Sequence, residues 1–245
     1  MKKIGFVIPW YADDIPGGAE MELREVTAHL HSAGVTLEIL TTCVKEFGAD
    51  WSVNFYNEGE DRSACGIVIR RFKVRKRDTK AFDAVNAKLM GGRNISVSEE
   101  DVFLREMVNS PDLYSYIEAH KDEYSLFVHI PYMFGTTYNG VKVCPEKSAL
   151  IPCFHDEAYA YLTRFRELYP KTAGMIFNAL PEAELAEKIF DEKMSVRDVE
   201  KYIKSLNKPK TSKSKKENES LQIVYTNIEE ELKQLFGTKV SISSK

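Results

Sequence analysis

The chain has 245 residues, a formal net charge of −3 and an apolar fraction of 43%. This length and apolar content are enough for a sizeable core, in one large domain or in one domain with an appendage. The near-neutral charge excludes a global attraction to nucleic acid or to anionic lipid as the basis of function.

The segment from Lys3 to Thr42 predicts a strand, a loop, a helix and a second strand, around which we expect the rest of the chain to be organised. Lys3–Ile8 is an apolar run of strand length, and Thr36–Thr41 is a β-branched run. The helix is predicted at Ala19–Ala33 and should end at Gly34, where a left-handed cap is expected. Its apolar face should carry Leu23, Val26, Leu30 and Ala33.

The loop Pro9–Gly18 places Gly17 and Gly18 at the carboxyl end of the first strand, where parallel sheets bind their ligands. Glycines let a backbone approach a ligand closely, and the free N–H groups of a helix start favour an anion. Gly17, Gly18 and Glu20 are therefore candidate substrate-binding residues. Because the spacing matches neither the dinucleotide nor the Walker fingerprint, a tight turn before a helix is the alternative.

The next segment contains fewer clear signals. Val44–Ser63 suggests a long functional loop or a partly ordered insertion, and Gly66–Val74 predicts a strand. Lys80–Leu104 predicts helix interrupted at Gly91 and Gly92. A basic stretch suits nucleic acid or, as we favour, the solvated end of a strand. Its cations are Arg70, Arg71, Lys73, Arg75, Lys76 and Arg77.

The pattern then alternates regularly. Ser110 and Pro111 predict a helix start, as N-cap and first helical residue. Strands are predicted at Ser125–Pro131, Ser148–Phe154 and Ala173–Asn178, a loop at Tyr132–Gly140 and a helix at Pro181–Phe190. Residues 1–190 are therefore predicted to form an α/β domain with a doubly wound, mostly parallel, Rossmann-like sheet.

A second group of candidate residues follows the strand that ends at Phe154. His155 can donate to a sugar hydroxyl or a phosphate and is the candidate catalytic residue. Asp156, Glu157 and Tyr132 are candidate substrate-binding residues, with the two acids expected on the first turn of the next helix. An acidic helix start that complements the macrodipole explains those acids without function. His129 either belongs to this site or alternates inward within a buried strand.

Two further expectations concern cofactors and compartment. No catalytic triad or metal-ligand cluster is visible, so we expect no metal and no cofactor. The four cysteines are widely separated, which predicts reduced thiols in a cytoplasmic protein. The first apolar stretch is too short for a signal peptide, and no run approaches the roughly 20 apolar residues of a membrane span.

The last quarter of the chain has a different character. We expect a short helix at 191–206, a Lys-rich linker at 207–221 that remains disordered, and an amphipathic segment at 222–245. The linker lysines suit a solvated segment, which we favour, or contacts to DNA phosphates. They are Lys208, Lys210, Lys213, Lys215 and Lys216.

Residues 1–190 resemble the N-terminal, acceptor-side domain of a GT-B glycosyltransferase of the family-4 retaining type. The resemblance rests on the opening strand with PGGAE, FVHIPYMFGTTYNG, IPCFHDEAYAYL and GMIFNALPEAELAEKIF. It implies a nucleotide-sugar as co-substrate, a sugar acceptor, α-configured products and no metal requirement. It also places Gly17 and Gly18 against the donor phosphates and His155 beside the transferred sugar. The family's second domain, which binds the nucleotide and carries a Glu-x7-Glu signature, has no counterpart here, so we expect negligible transfer by the chain alone.

Residues 191–245 resemble something else, the end of a chromosome-partitioning protein of the ParB/Spo0J type. The resemblance rests on SVRDVE and EEELKQLFGTKVSI, the latter similar to the opening of a dimerisation domain that is cut short here. It implies weak, non-specific DNA binding or homodimerisation through the tail. The chain thus resembles a join of two unrelated fragments near residues 184–194, by natural fusion, assembly artefact or construction. The leading hypothesis is an enzyme fragment, and the alternative is a DNA-associated module.

Overall fold

The computed structural model describes residues 2–190, and they form an α/β domain with seven strands and seven α-helices. The strands are β1 (Lys3–Val7), β2 (Leu37–Thr42), β3 (Gly59–Arg62), β4 (Val68–Phe72), β5 (Tyr124–His129), β6 (Ser148–Leu150) and β7 (Gly174–Met175). The helices are α1 (Gly18–Ser32), α2 (Thr79–Met90), α3 (Val97–Glu106), α4 (Pro111–His120), α5 (Gly135–Val143), α6 (Thr163–Leu168) and α7 (Leu180–Phe190). Short 3-10 turns occur at Pro145–Lys147, Ala158–Tyr161 and Tyr169–Lys171. None of the described helices is long and apolar enough to cross a membrane.

The seven strands form one mostly parallel sheet, in the order β3-β4-β2-β1-β5-β6-β7. Only the β3–β4 pair is antiparallel, and every other neighbouring pair is parallel. The chain builds outward from β1 through β2 to β4, and then returns to the other side of β1 with β5. The predicted α/β class and mostly parallel sheet are confirmed, and β1 and β5 flank the point where the strand order reverses.

Helices cover both faces of this sheet. Phe6, Ile39 and Val128 lie on one face and pack with Leu23 of α1, as the predicted helix pattern requires. The residues next to these along the strands face the other side of the sheet, where they pack against α4. Alternation along buried strands therefore supplies two apolar layers.

The C-terminus of α1 forms a complete Schellman motif. Gly34 has φ 83, and its N–H donates to the carbonyl of His31, while the N–H of Val35 donates to that of Leu30. The predicted glycine cap is confirmed. Ala33, however, lies after the helix and is exposed, so its expected place on the apolar face is wrong.

The segment Tyr132–Gly140 was expected to be a loop, but α5 begins within it at Gly135. Two glycines and several β-branched residues give this segment low intrinsic helix propensity. Its glycines instead allow close packing. A Cβ on Gly135 would lie 2.7 Å from the carbonyl oxygen of Val108, and one on Gly140 would lie 2.8 Å from the ring of His129. Tertiary packing therefore favours the helix over the local preference.

Several element boundaries also differ from expectation. The strand predicted at Ser148–Phe154 ends at Leu150, and the one at Ala173–Asn178 is reduced to Gly174–Met175. The segment Val44–Ser63 contains β3, which lies antiparallel at the edge of the sheet. The interruption at Gly91 and Gly92 separates α2 from α3, as predicted.

Residues 191–245 lie outside the described residues. The expectations for the helix at 191–206, the linker at 207–221 and the segment at 222–245 therefore stay predictions. The same holds for the five linker lysines.

Candidate functional site

The loop between β1 and α1 lies at the carboxyl end of the sheet and ends at two glycines. Gly17 has φ 142 and ψ 150, a conformation that L side chains rarely adopt, and it is the N-cap of α1. A Cβ at this position would lie 1.9 Å from Oε2 of Glu20, whereas a Cβ on Gly18 would meet nothing within 4 Å. The N–H of Met21 donates to the carbonyl oxygen of Gly17, whereas those of Gly18, Ala19 and Glu20 come too early in α1 to have a carbonyl four residues back within the helix, so they are left for a ligand or for water.

Glu20 lies next to Gly17, but its carboxylate is engaged within the chain. The side chain is buried and accepts a hydrogen bond from Nε1 of Trp10 at 2.5 Å. Trp10 follows β1, so this contact connects the start of the loop to the first turn of α1. The structure thus places Glu20 at the site as a residue that fixes the loop, with Gly17 directly against its carboxylate.

Two arginines donate hydrogen bonds to main-chain carbonyl groups of the loop between β1 and α1. Nη1 of Arg24 donates to the carbonyl oxygens of Ala12 and Ile15, at 3.3 and 2.9 Å. Nη1 of Arg71, which is buried on β4, donates to the carbonyl oxygen of Tyr11 at 2.8 Å. These charged donors fix consecutive turns of the loop, which makes the approach to Gly17 preorganised.

Tyr132, expected to bind substrate, is buried behind the carboxyl end of β5. Its hydroxyl donates to Oε1 of Glu157 at 2.9 Å, and its N–H donates to the carbonyl oxygen of Pro152 at 2.9 Å. Burial, together with the Glu157 carboxylate, raises the pKa of the Tyr132 phenol. Tyr132 therefore remains a neutral donor that orients Glu157, and it connects the segments that follow β5 and β6.

His155, Asp156 and Glu157 come directly before the 3-10 turn Ala158–Tyr161, of which Glu157 is the N-cap, so the helix expected after them is reduced to this single turn. Both acids precede the turn, and the expectation that they lie on the first turn of a helix is wrong. The N–H of Glu157 donates to the carbonyl oxygen of His155 at 2.9 Å, which makes a tight turn, and α6 begins only at Thr163. The macrodipole explanation of the two acids therefore does not hold for α6. Asp156 accepts from the hydroxyl of Tyr161 at 2.6 Å. The imidazole of His155 is exposed, and within residues 2–190 it has no hydrogen-bond partner.

A polar cluster that the sequence analysis did not single out connects α1 to the segment just before His155. Oε2 of Glu22, on α1, lies 3.6 Å from Sγ of Cys153 and accepts from Nδ2 of Asn178 at 3.0 Å. Glu182 accepts from the N–H groups of Phe154 and Asn178, both at 2.9 Å. The cluster therefore brings α1, the segment after β6 and the start of α7 together.

The backbone at Cys153 is unusual for a residue with a side chain, since its φ is 55. Desolvation, and after it the carboxylates of Glu22 and Glu182, raise the pKa of the Cys153 thiol. The thiol is therefore protonated at neutral pH and unsuited to act as a nucleophile. A φ in this region cannot be read from the sequence, although Cys153 stands two residues before His155.

His129 is a core residue. It is fully buried at the end of β5, and desolvation lowers its pKa to about 3. The hydroxyl of Ser148 donates to the carbonyl oxygen of Cys144 at 2.9 Å, so Nε2 of His129 must donate to that hydroxyl, at 3.3 Å. The interpretation that His129 alternates inward within a buried strand is confirmed.

Most cations of the stretch from residue 70 to 77 have partners within the chain. Arg70 pairs with Glu60 at 2.8 Å, Lys73 pairs with Glu58 at 2.9 Å, and the guanidinium of Arg77 lies over the ring of Trp51. Arg71 donates to the carbonyl oxygen of Tyr11 in the loop Pro9–Gly18, and Arg75 pairs with Glu106 at 3.2 Å. These contacts count against the nucleic-acid interpretation of the stretch. Arg71 is buried, so the expectation of a solvated strand end is wrong for that residue.

Within residues 2–190, no group of three or more His, Cys, Asp or Glu side chains is arranged to hold a metal ion. The site is instead a set of main-chain donors, one exposed imidazole and several carboxylates at the carboxyl end of the sheet. Comparisons of this chain with protein-family models, with curated proteins and with solved structures found no match.

Proposed function

We propose that residues 1–190 are the acceptor-side domain of a retaining glycosyltransferase of GT-B type, which uses a nucleotide-sugar as donor. The order of the parallel strands, β4-β2-β1-β5-β6-β7, supports a Rossmann-like half of such an enzyme, because it is the order of the doubly wound dinucleotide-binding sheet. In sheets of this kind the ligand binds outside the carboxyl ends of the strands, where the order reverses. Gly17 follows the strand next to that point.

The observation that carries the proposal is the polar cluster that brings α1, which begins at the predicted glycine site, against the segment that leads into His155. Glu22 belongs to α1, five residues after Gly17, and it contacts Cys153, two residues before His155. Segments that are far apart in the chain are thereby held at one edge of the sheet. A donor phosphate at the first turn of α1 would then have its sugar on the side of the His155 loop.

Each residue has a role that follows from its chemistry. In the transfer, the bond between the sugar C1 and the diphosphate oxygen breaks, a bond from C1 to an acceptor oxygen forms, and the proton of the acceptor hydroxyl passes to the released diphosphate. The N–H groups at Gly18 stabilise charge on the leaving diphosphate. His155 donates a hydrogen bond to a sugar hydroxyl, and Asp156 and Glu157 accept from hydroxyl groups. Tyr132 keeps Glu157 in place for this.

The test is a binding measurement, because the resemblance assigns the nucleotide to a second domain that residues 2–190 do not contain. UDP-hexoses and GDP-hexoses are titrated into the ¹⁵N-labelled chain, and the amide signals of Gly17 and Gly18 are followed. We expect shifts at both glycines and a loss of affinity of about tenfold in His155→Ala, which corresponds to one lost hydrogen bond to a polar ligand.

His31→Ala is the matched control, since His31 is an exposed histidine in the last turn of α1, far along the helix from Gly17. Its affinity should equal that of the wild type. Unchanged glycine signals at millimolar concentrations of every nucleotide-sugar would contradict the proposal. So would equal affinities of the His155→Ala and wild-type chains.

The alternative of a DNA-associated module depends on residues 191–245, outside the described residues, and no contact described above favours it. A gel-shift series in rising salt separates the two. Binding that weakens steeply with salt would support the DNA alternative, since lysine–phosphate contacts release counterions. Absence of binding at low salt would exclude it.

A further inference from the structure

One aromatic side chain of a largely buried cluster is exposed. Trp10, Trp51 and Phe134 pack against one another and are 2%, 8% and 4% exposed. Phe47 belongs to the same cluster but is 63% exposed. Its ring centroid lies 5.9 Å from those of Trp10 and Trp51 and 6.5 Å from that of Phe134, and the interplanar angles are steep, between 57° and 75°. No ring is stacked parallel on it within the cluster.

The backbone that carries Phe47 is fixed. Nε1 of Trp51 donates to the carbonyl oxygen of Phe47 at 2.9 Å. The N–H of Ala49 donates to the carbonyl oxygen of Glu46 at 3.1 Å, and Asp50 caps the next turn by accepting from the N–H of Ser52 at 2.9 Å. Because the turn is already ordered, a ligand that binds to the exposed ring has little further backbone entropy to remove.

Phe47 lies at the same edge of the sheet as the candidate site. It follows β2, Trp10 follows β1 and Phe134 follows β5, so three loops at the carboxyl ends of neighbouring strands meet in this cluster. Trp10 also donates to Glu20, whose carboxylate lies against Gly17. Direct contacts therefore run from the exposed ring to the glycine loop.

We propose that Phe47 is a stacking platform for a pyranose ring of the sugar acceptor, an assignment that rests on the proposed function. The C–H groups on one face of a pyranose carry partial positive charge, and the face of an aromatic ring is negative. Glu46 and Asp50 flank Phe47 within three residues. One oxygen of Glu46 pairs with Lys45 and one of Asp50 accepts from the N–H of Ser52, which leaves the second oxygen of each to accept from a sugar hydroxyl group.

The extent of the exposed surface favours a sugar ring over a lipid chain. A lipid chain needs a continuous apolar groove, but Trp10, Trp51 and Phe134 are closed off from solvent beneath Phe47. Of this cluster only the Phe47 ring remains accessible, and Glu46 and Asp50 lie close to it in the sequence. This combination of one apolar face and a few polar groups is what a small polar ligand requires.

The chain offers a local probe, because its two tryptophans, Trp10 and Trp51, both contact the Phe47 ring. Methyl glycosides of the common hexoses and their disaccharides are titrated into the full chain, and tryptophan fluorescence is followed. We expect a saturable change with at least one glycoside. Phe47→Ala should weaken that binding at least tenfold, and Phe47→Trp should restore it.

Phe55→Ala is the matched control, since Phe55 is 60% exposed but packs on Tyr56 and under Lys45, apart from the tryptophans. Its affinity should be that of the wild type. Melting temperatures of all variants exclude loss of folding as the cause of any change. The inference is overturned if no glycoside binds, if Phe47→Ala binds as well as Phe55→Ala, or if only alkyl glycosides with long chains bind.

The donor titration described above separates failure of this inference from failure of the proposed function. If nucleotide-sugars shift the Gly17 and Gly18 signals but glycosides do not bind, the proposed function stands and the Phe47 assignment falls. If glycosides bind through Phe47 but no nucleotide-sugar shifts the glycines, the assignment of a donor site falls. The domain is then a sugar-binding one.

Discussion

Replacing His129 by glutamine should make the domain less sensitive to mild acid. The imidazole of His129 is fully buried at the end of β5, and desolvation lowers its pKa from 6.5 to about 3. In the unfolded chain the same group has an ordinary pKa, so between these two values the unfolded state binds the extra proton. Stability due to neutral His129 is therefore fully present above pH 6.5 and is lost as the pH falls toward 3.

The size of the effect follows from the two pKa values. Each pKa unit corresponds to about 1.4 kcal/mol of unfolding free energy. The contribution of His129 to stability therefore falls by roughly 2 kcal/mol between pH 8 and pH 5, and the total loss on reaching pH 3 is about 5 kcal/mol. Carboxylates titrate in the same range, and Glu38 and Glu106 both have lowered pKa values. The informative quantity is therefore the difference between wild type and variant.

Urea unfolding of the wild type, His129→Gln and His31→Gln at pH 8 and pH 5 measures this difference. The wild type and the His31→Gln control should lose about 2 kcal/mol more than His129→Gln over this interval. The reasoning is refuted if His129→Gln loses as much as the wild type. It is also refuted if the His129 ring signals of the folded chain titrate near pH 6.5.

Three further predictions concern the glycines and the reaction. Gly17→Ala should destabilise the domain by about 1–3 kcal/mol in urea unfolding, because of its positive φ and the Glu20 carboxylate, while Gly18→Ala should change little. Gly140→Ala should also destabilise, by about 1–3 kcal/mol, although such a change within a helix ordinarily stabilises, and the penalty should shrink in a His129→Ala background. The purified chain alone should transfer sugar no faster than it hydrolyses the donor, since residues 2–190 form a single sheet and the proposed function needs a further, donor-binding domain. Transfer well above hydrolysis, measured by product chromatography, would contradict that expectation.

The central strands and α1 were predictable because burial on both faces leaves uninterrupted apolar runs, and because Gly34 marks a helix end. The helix α5 was not, because its glycines lower local helix propensity and favour the helix only through contacts with His129 and the carbonyl oxygen of Val108. Sequence periodicity reports local preference, whereas α5 depends on the shape of its neighbours.

In the candidate site, too, some residues could be predicted from the sequence and others could not. Gly17 was predictable from loop composition and from its position after β1. The contacts of Glu22 with Cys153 and Asn178 join residues separated by 131 and 156 positions, so no local pattern signals them. The position of His155 in a loop likewise depends on where β6 ends.

The antiparallel strand β3 also affects how the protein meets other copies of itself. At that border of the sheet Glu60, Asp61 and Arg62 are all exposed and charged, and at the opposite border β7 has only two residues. A free strand edge templates pairing between chains, and charge or shortness prevents it. Neither border therefore favours aggregation through strand pairing. This matters because the distant strands of a parallel sheet assemble slowly, so partly folded chains stay exposed to one another for longer.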